Sequence, residues 1–150
     1  MSTPAGYSGT PLPRKLGLKP GMRVLTMDPP GNIDLLLDGA PAGLIRITRL
    51  GPFDCALAFA TTERALSAAL ARLEPKLGAD GMIWVAWPKK ASGVSAELTE
   101  AAVMRIGLAT GLVDVKVCAI DPVWSGLKFV RRLRDRARAG GGSGGGAAHK

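Results

Sequence analysis

Histidine is almost absent from this chain of 150 residues, since its one histidine is His149, next to the carboxyl terminus. This scarcity excludes Ser-His-Asp triads, histidine general bases and histidine-based metal sites. Cysteine is nearly as rare: Cys55 and Cys118 each lie inside an apolar run, and they form neither a close pair nor a metal-ligand spacing. We therefore predict two buried free thiols, and neither a disulfide nor a metal site.

Long apolar runs are also missing. No stretch approaches the roughly 20 apolar residues that a membrane span requires, and the chain begins with small, polar and proline-rich residues that do not resemble a signal peptide. We therefore expect a cytoplasmic protein with no membrane partner. With 47% hydrophobic and 21% charged residues, the chain has the composition of a single globular domain.

Acidic residues are scarce at the carboxyl end, so the net charge of +8 is concentrated there. From Lys128 onward the chain has seven basic residues and one acid, a net charge of +6, whereas the part before Lys128 carries only +2. A basic arm of this kind can neutralise the phosphates of a nucleic acid without reading its sequence; the alternative is a solvated helix end. The residues of such a contact would be Arg131, Arg132, Arg134, Arg136 and Arg138.

Composition divides the chain into three parts. We predict a flexible N-terminal arm over residues 1–8, an α/β domain over residues 9–134, and a basic and then Gly/Ser-rich disordered tail over residues 135–150. Within the domain, apolar patterns predict strands over 22–27, 44–48, 54–60, 81–87, 112–120 and 124–133. Helices are predicted between Thr62 and Pro75 and from Leu98 to Thr110, with shorter helical turns near residues 12–18 and 32–39. Strands that alternate with helices indicate a mostly parallel sheet, and the last two strands, too close for a crossover helix, should form an antiparallel hairpin.

Three segments carry a resemblance to a known family. YSGTPLPRKLGLKPGMRV at Tyr7 to Val24, WPKKASG at Trp87 to Gly93, and LTEAAVMRIGLATGLVDVKVCAIDPVWSGLKFVRR at Leu98 to Arg132 resemble the bacterial domain-of-unknown-function 3052 family. The arrangement of elements also resembles a small class I S-adenosylmethionine (SAM)-dependent methyltransferase. These resemblances imply a three-layer, Rossmann-like α/β fold, with a mostly parallel sheet closed by the C-terminal antiparallel hairpin. They imply no defining activity.

The turn after the first strand bears on SAM binding. Methyltransferases of this fold grip SAM with a Gly-rich turn after the first strand and an acidic residue at the end of the second. Here the first turn reads MDPPGN, with two prolines that lack backbone donors, and the second strand ends in TRLG at 48–51 without a carboxylate. We therefore predict no cofactor and interpret DPPG as a rigid turn. If SAM does bind, its contacts would be Asp28, Gly31 and Asn32.

A basic loop follows the strand GMIWVAW at 81–87. Ligands of open α/β sheets bind at the carboxyl ends of parallel strands, and lysines, a hydroxyl and free helix N-terminal amides can together hold an anion. The predicted anion site consists of Lys89, Lys90, Ser92, Gly93 and Ser95. Its alternative is a solvated loop. An aromatic and charged wall beside it would come from Trp87, Trp124 and Lys128.

These observations predict a non-catalytic, methyltransferase-like domain that binds a protein partner or a small anionic ligand at the carboxyl-end loops, because no set of residues amounts to a catalytic site. Two alternatives stay open. One is a divergent SAM-dependent methyltransferase, and the other is an accessory nucleic-acid binder that works through the basic tail.

Overall fold

A six-stranded sheet forms the centre of the computed structural model, which describes residues 11–93 and 97–136. The strands are β1 (Arg23–Met27), β2 (Ile45–Ile47), β3 (Phe53–Phe59), β4 (Leu77–Pro88), β5 (Leu112–Ala119) and β6 (Trp124–Arg131). The helices are α1 (Leu12–Lys15), α2 (Ile33–Leu36), α3 (Glu63–Leu73) and α4 (Glu100–Ala109). Short 3₁₀ turns cover Glu74–Lys76 and Lys90–Ser92, and residues 133–136 form one further helical turn.

The strands lie in the order β2-β1-β3-β4-β6-β5. β1 pairs in parallel with β2 and β3, and β3 pairs in parallel with β4. β6 runs antiparallel to both of its neighbours, β4 and β5. The mostly parallel sheet and its C-terminal antiparallel hairpin are therefore confirmed. The hairpin joins the sheet through β6, so β5 is the edge strand.

Helices cover both faces of this sheet. The apolar residues of α3 and α4 pack on one face, here called the α3 face, and those of α1 and α2 pack on the other, the α1 face. β3 is buried on both faces, as its continuous apolar sequence predicts. Ala56 and Ala58 belong to the core of the α3 face, whereas Cys55 and Leu57 belong to the core of the α1 face.

Threonine caps fix where the two longer helices begin. Thr62 Oγ1 accepts the N–H of Ala65 at 3.0 Å, and Thr99 Oγ1 accepts the N–H of Ala102 at 3.1 Å. Each cap stabilises its helix by about 1 kcal/mol. The sheet side of α3 is apolar at helical spacing, and its buried residues are Leu66, Ala69, Leu70 and Leu73.

The segment around α1 is anchored to the sheet by a buried hydrogen bond. The indole N–H of Trp84 donates to the carbonyl of Leu16 at 3.0 Å, and both residues are almost completely buried. A buried indole needs a partner for its N–H, so this bond both satisfies Trp84 and holds α1 against β4.

The connection between β2 and β3 is short for two parallel strands. β1 lies between them, yet only residues 48–52 join Ile47 to Phe53. A parallel crossover normally takes a dozen or more residues and contains a helix. Here the 48–52 loop crosses the sheet without one, and its Leu50 lies beside Leu25 and Met27 on the α3 face of β1. That face of β1 is therefore left partly open.

The ends of the chain fall mostly outside the described residues. The predicted arm over 1–8 and the tail from residue 137 onward belong to these parts, so the predicted domain boundaries stay predictions. In the described ranges no helix is long and apolar enough to cross a membrane.

Candidate functional site

The chain changes sheet face between β1 and β3. α2, which follows β1, packs on the α1 face, whereas α3, which follows β3, packs on the opposite face. In open α/β sheets, ligands bind in the crevice that such a change opens beyond the carboxyl ends of the two strands. A ligand site is therefore expected at the carboxyl end of β1, next to Met27 and Asp28.

A groove with a volume of about 300 Å³ runs from this point along the α3 face of β1. We call it the β1 groove. Leu25 and Met27 form its floor, because alternate side chains of β1 face α3. Leu50 of the 48–52 loop forms one wall, Arg72 of α3 forms the other, and Asp28 lies at the upper end. The groove occupies the space that a crossover helix between β2 and β3 would otherwise fill.

Asp28 turns the chain sharply at the end of β1. Its φ of 50° lies in the left-handed region, which aspartate tolerates better than most residues other than glycine. Asp28 thus adopts a conformation for which glycine is the usual residue, and the turn is tight although Gly31 is its one glycine. Of the three residues predicted to contact SAM, Asp28 lines the β1 groove, whereas Gly31 and Asn32 do not.

Asn32 instead reaches the turn before β6. Its Nδ2 lies 3.4 Å from Oδ2 of Asp121, a long hydrogen bond. Asp121 is buried, and its Oδ1 accepts the N–H groups of Val123 and Trp124, both at 2.8 Å. Asp121 therefore shapes the turn into β6, and Asn32 ties the first turn of the sheet to it.

Thr26 has a buried hydroxyl with no hydrogen-bond partner among the described residues. Its side chain shares the α1 face with Val24, because Leu25 and Met27 occupy the α3 face. The hydroxyl therefore faces away from the β1 groove, which Thr26 borders through its main chain.

Sequence reasoning missed Thr48, Leu50 and Arg72, which also line the β1 groove. A signal for the loop residues was present in the short separation between the second and third predicted strands, which leaves no room for a crossover helix in a parallel sheet. Arg72 carried no signal of its own, because it lies on the exposed side of α3, where any polar residue is acceptable.

The predicted anion loop is held in a fixed shape. The N–H of Lys89 donates to the carbonyl of Val123 at 2.7 Å, and Ser92 Oγ donates to the carbonyl of Lys89 at 2.7 Å. Gly93 closes the turn with a φ of 81°. The Ser92 hydroxyl thus serves the loop itself. Of the two lysines, Lys89 is half-buried and Lys90 is exposed.

The helix amides expected to join this anion site have other partners. α4 is capped by Thr99, and at the start of α3 the Oε1 atom of Glu97 accepts the N–H of Glu63 at 2.7 Å. These amides therefore do not add to a site at the lysines. Ser95 lies outside the described residues, and the anion site stays a prediction.

The expected aromatic and charged wall is not assembled beside that loop. Trp87 is 5% exposed and belongs to the core of the α3 face. Trp124 does lie opposite Pro88, and its ring meets that of Phe59 edge-on with centroids 5.1 Å apart. Lys128 is four residues further along β6, away from the loop. Only Trp124 of the three therefore stands next to the predicted site.

Arg131 is a structural anchor and not a free arginine of the basic run. Its Nε donates to the carbonyl of Leu77 at 2.9 Å, its Nη1 to Glu74 Oε2 at 2.8 Å, and its Nη2 to the Glu74 carbonyl at 2.7 Å. With these bonds and a side chain that is 15% exposed, its guanidinium does not reach a phosphate, which corrects the prediction at this position. The nucleic-acid prediction keeps Arg132, Arg134 and Arg136, while Arg138 lies outside the described residues.

Both cysteines are free and buried, as predicted. Burial raises the pKa of Cys55 to about 12, although the charge of Lys128 acts in the opposite direction. Burial also raises the pKa of Cys118, against the charges of Lys15 and Lys116. Neither thiol is therefore a thiolate nucleophile near neutral pH. Over residues 11–93 and 97–136, no three His, Cys, Asp or Glu side chains come together as metal ligands.

A wider depression of about 610 Å³ lies at the amino ends of the strands, beside Arg23, Asp54 and Asp80. Asp54 is used in the fold there, because its Oδ2 accepts the N–H of Arg23 at 2.8 Å and lies 3.4 Å from that residue's Nε. Sheets of this kind place their ligand sites at the opposite edge. The β1 groove therefore remains the candidate site.

Comparison with known proteins finds structural likeness without related sequences. No family model matches the chain, and no curated protein matches it. Among solved structures, the chain is similar to magnesium protoporphyrin IX methyltransferase (ChlM) from Synechocystis PCC 6803 with bound SAM, with a TM-score of 0.54, 15% identity, and coverage of 81% of this chain and 74% of that chain. It is also similar to a TehB-like SAM-dependent methyltransferase from Corynebacterium glutamicum, with a TM-score of 0.54, 14% identity, and coverage of 85% of this chain and 91% of that chain.

The chain has the fold of class I SAM-dependent methyltransferases. Sequence identities of 14% and 15% establish the fold alone. The expected Rossmann-like architecture is thereby confirmed, while membership of the domain-of-unknown-function 3052 family stays a prediction.

Proposed function

We propose that this chain is a divergent SAM-dependent methyltransferase that holds SAM in the β1 groove. The observation that carries the proposal is the coincidence of that groove with the change of sheet face at the end of β1. The similar ChlM structure contains bound SAM. Together these findings favour a SAM-dependent enzyme over the non-catalytic domain without a cofactor that we expected from the sequence.

The β1 groove offers an apolar floor for one half of SAM. Leu25, Met27 and Leu50 line it, and aliphatic side chains of this kind give flat contact area to an adenine ring. Its volume of about 300 Å³ is at the lower end of the range for small-molecule sites. The groove therefore suits one small ligand and leaves little room for a second.

The polar groups of the groove match the other half of SAM. Arg72 supplies a positive charge for a carboxylate, and Asp28 supplies an acceptor for ribose hydroxyls or an ammonium group. Thr48 adds a hydroxyl at the same edge. When bound, SAM supplies an electrophilic methyl group on a sulfonium. The chain's own residues bind and orient it, and the apolar floor excludes water from one side.

This proposed grip departs from the usual one of the fold. Pro29 and Pro30 lack the backbone N–H groups that normally hold the amino-acid end of SAM. No carboxylate follows β2, and the nearby Asp34 of α2 lies 3.2 Å from Arg46 in an ion pair. Binding must therefore depend on Asp28 and Arg72, and we expect a dissociation constant on the order of 10 μM or weaker.

Isothermal titration calorimetry with SAM and with S-adenosylhomocysteine tests the proposal. We expect saturable binding of both, and a loss of about tenfold in affinity for Arg72→Gln and for Asp28→Asn. Arg64→Gln is the matched control, because Arg64 is an exposed arginine of the same helix that does not line the groove. No saturable heat up to about 1 mM ligand, or an equal loss in the Arg64 variant, would overturn it.

Binding of SAM without methyl transfer is the second candidate function. It is favoured by the groove itself, since Asp28 and Arg72 are its only ionisable lining residues and neither is an evident general base for a substrate. Incubating the protein with methyl-labelled SAM and a cell extract separates the two candidates. Label that appears in a product, and is lost in Arg72→Gln, supports the transferase, whereas bound SAM that is never consumed supports the binding domain.

A further inference from the structure

Lys116 and Lys128 lie directly opposite each other in the ladder between β5 and β6. Side chains opposite each other in an antiparallel pair share a face and approach closely, so two like charges there repel. Lys128 is also opposite Trp84, which belongs to the core of the α1 face. The two lysines therefore concentrate positive charge on the α1 face, away from the β1 groove.

A β-bulge keeps the nearest acid off this face. The register shifts at Val115, so that Asp114 is opposite Phe129 while Lys116 is opposite Lys128. Phe129 lies in the core of the α3 face. Because successive residues of β6 face opposite ways, Asp114 faces the α3 side and does not neutralise the lysines. In a regular strand, Asp114 and Lys116 would share a face.

Two more basic side chains join the same face. Lys15 of α1 reaches the hairpin, where its Nζ donates to the carbonyl of Ala119 at 3.2 Å. Arg132 follows Lys128 and Val130 at alternate positions, and Val130 packs in the core of the α1 face. The Nε of Arg132 is buried and has no hydrogen-bond partner among the described residues. We call Lys15, Lys116, Lys128 and Arg132 the basic face.

The basic face is not neutralised within the described part of the chain. The ion pairs found in residues 11–93 and 97–136 use other cations, namely Arg23, Arg46, Arg105 and Arg131. Lys116, Lys128 and Arg132 take part in none of them. The charges of Lys15 and Lys116 both reach Cys118, where they act on its pKa against the effect of burial, so these ammonium groups lie close together.

We infer that the basic face binds the phosphodiester backbone of a nucleic acid. Lys128 and Arg132 are four residues apart along one strand direction, roughly 13 Å, which corresponds to about four phosphates at the rise of a nucleic-acid strand. Lys116 lies beside this row. A single phosphate would use only the lysine pair, whereas the extended row matches a polymer of regularly spaced negative charges. Contacts of this kind read no base sequence.

Fluorescence anisotropy with the full chain and a labelled single-stranded oligonucleotide of about 20 nucleotides tests the inference, with affinity measured over a series of salt concentrations. The test variant is Lys116→Gln combined with Lys128→Gln. The matched control is Lys19→Gln combined with Lys76→Gln, since both of these lysines are exposed, lie outside the basic face and remove the same charge. Circular dichroism verifies that both variants are folded.

We expect the test variant to bind about tenfold or more weakly at low salt, and its slope of log affinity against log salt to fall by about two, one for each lost phosphate contact. The control should stay within about twofold of the native chain. An equal loss in test and control variants overturns the inference, because binding would then follow net charge alone. An unchanged affinity in the test variant also overturns it and leaves any binding to the arginine run.

Two competitors separate other anionic ligands. Polyglutamate at equal charge concentration should displace the oligonucleotide poorly, and equal competition would replace the nucleic acid with an acidic protein partner. Inorganic phosphate at about 1 mM should have little effect, because it lacks the repeated charge that releases counterions. Complete displacement by phosphate overturns the polymer contact in favour of a small anion.

Discussion

Gly107 of α4 lies against the ring of Phe129 on β6, so closely that a Cβ atom at position 107 would overlap three of its ring carbons. Both residues are buried, and the Phe129 ring has no exposed surface to move toward. Alanine favours a helix over glycine by about 1 kcal/mol, but overpacking of a core costs about 1–3 kcal/mol. We expect Gly107→Ala to lower the free energy of unfolding by about 1 kcal/mol or more, measured by urea denaturation.

Gly78→Ala is the control for that measurement. Gly78 has open space where a Cβ would stand, and its φ lies outside the left-handed region. Its substitution should change the free energy of unfolding by less than about 0.5 kcal/mol. A stable Gly107→Ala protein would mean that α4 and β6 are not packed as tightly as the structure has them.

The strands and long helices could be predicted because each one has a local cause. Continuous or alternating apolar runs mark the strands, and Thr62 and Thr99 cap the helices. The strand order could not be predicted, because β6 pairs with residues of β4 about 40 positions earlier and no local pattern names that partner. For the same reason β4 begins at Leu77 and not at Gly81: its first residues are held by pairing with Phe53 across a register shift.

Arg131 should be hard to replace, since its three hydrogen bonds tie the last strand to Glu74 and Leu77. We expect Arg131→Met to reduce the free energy of unfolding by about 2–4 kcal/mol, because Glu74 would be left partly buried without its partner. Arg131→Lys should recover little, as one ammonium group does not reproduce the planar fork of a guanidinium. Urea denaturation measures both variants. Exposed Arg134→Gln is the control, and full stability of Arg131→Lys would contradict this role.

The candidate site was less predictable than the fold. Asp28 could be singled out because it directly follows the first strand, and chain order alone places such a residue at the ligand edge. Arg72 and Leu50 reach the β1 groove only because a helix is missing above β1, which is a tertiary property. Arg131 was taken for a ligand contact because a run of arginines looks the same in sequence whether each charge is solvated or paired.

Lys116→Gln should stabilise the folded chain in the absence of nucleic acid. It removes the repulsion from Lys128 across the ladder, which we expect to raise the free energy of unfolding by about 0.2–1 kcal/mol. The gain should shrink at about 1 M salt, where charges are screened over roughly 3 Å. Thermal melting at low and high salt measures the effect, with exposed Lys76→Gln as the control. A loss of stability at low salt would show that Lys116 has a neutralising partner.

The two cysteines should differ in reactivity toward iodoacetamide. Alkylation requires the thiolate, and burial raises the pKa of Cys55 to about 12, so its rate at pH 8 should be very low and should increase as the pH rises. Cys118 has 9% of its surface exposed and Cys55 has none, so Cys118 should react first. The raised pKa of Cys55 also means that its contribution to stability is complete below about pH 9 and is lost as pH rises toward 12. Mass spectrometry follows both sites; rapid labelling of Cys55 in the folded chain would contradict this.

Asp28 allows the conformation of the first turn to be separated from its charge. Asp28→Ala should destabilise the chain by about 1 kcal/mol, because alanine resists the left-handed φ of 50°. Asp28→Gly should be at least as stable as the native chain, since glycine adopts that φ freely. Both variants lack the carboxylate proposed to contact SAM, so their affinities for SAM should fall together although their stabilities differ. Urea denaturation and calorimetry on the same samples measure the two quantities. A glycine variant that binds SAM as tightly as the native chain would show that the turn, and not the carboxylate, supports binding.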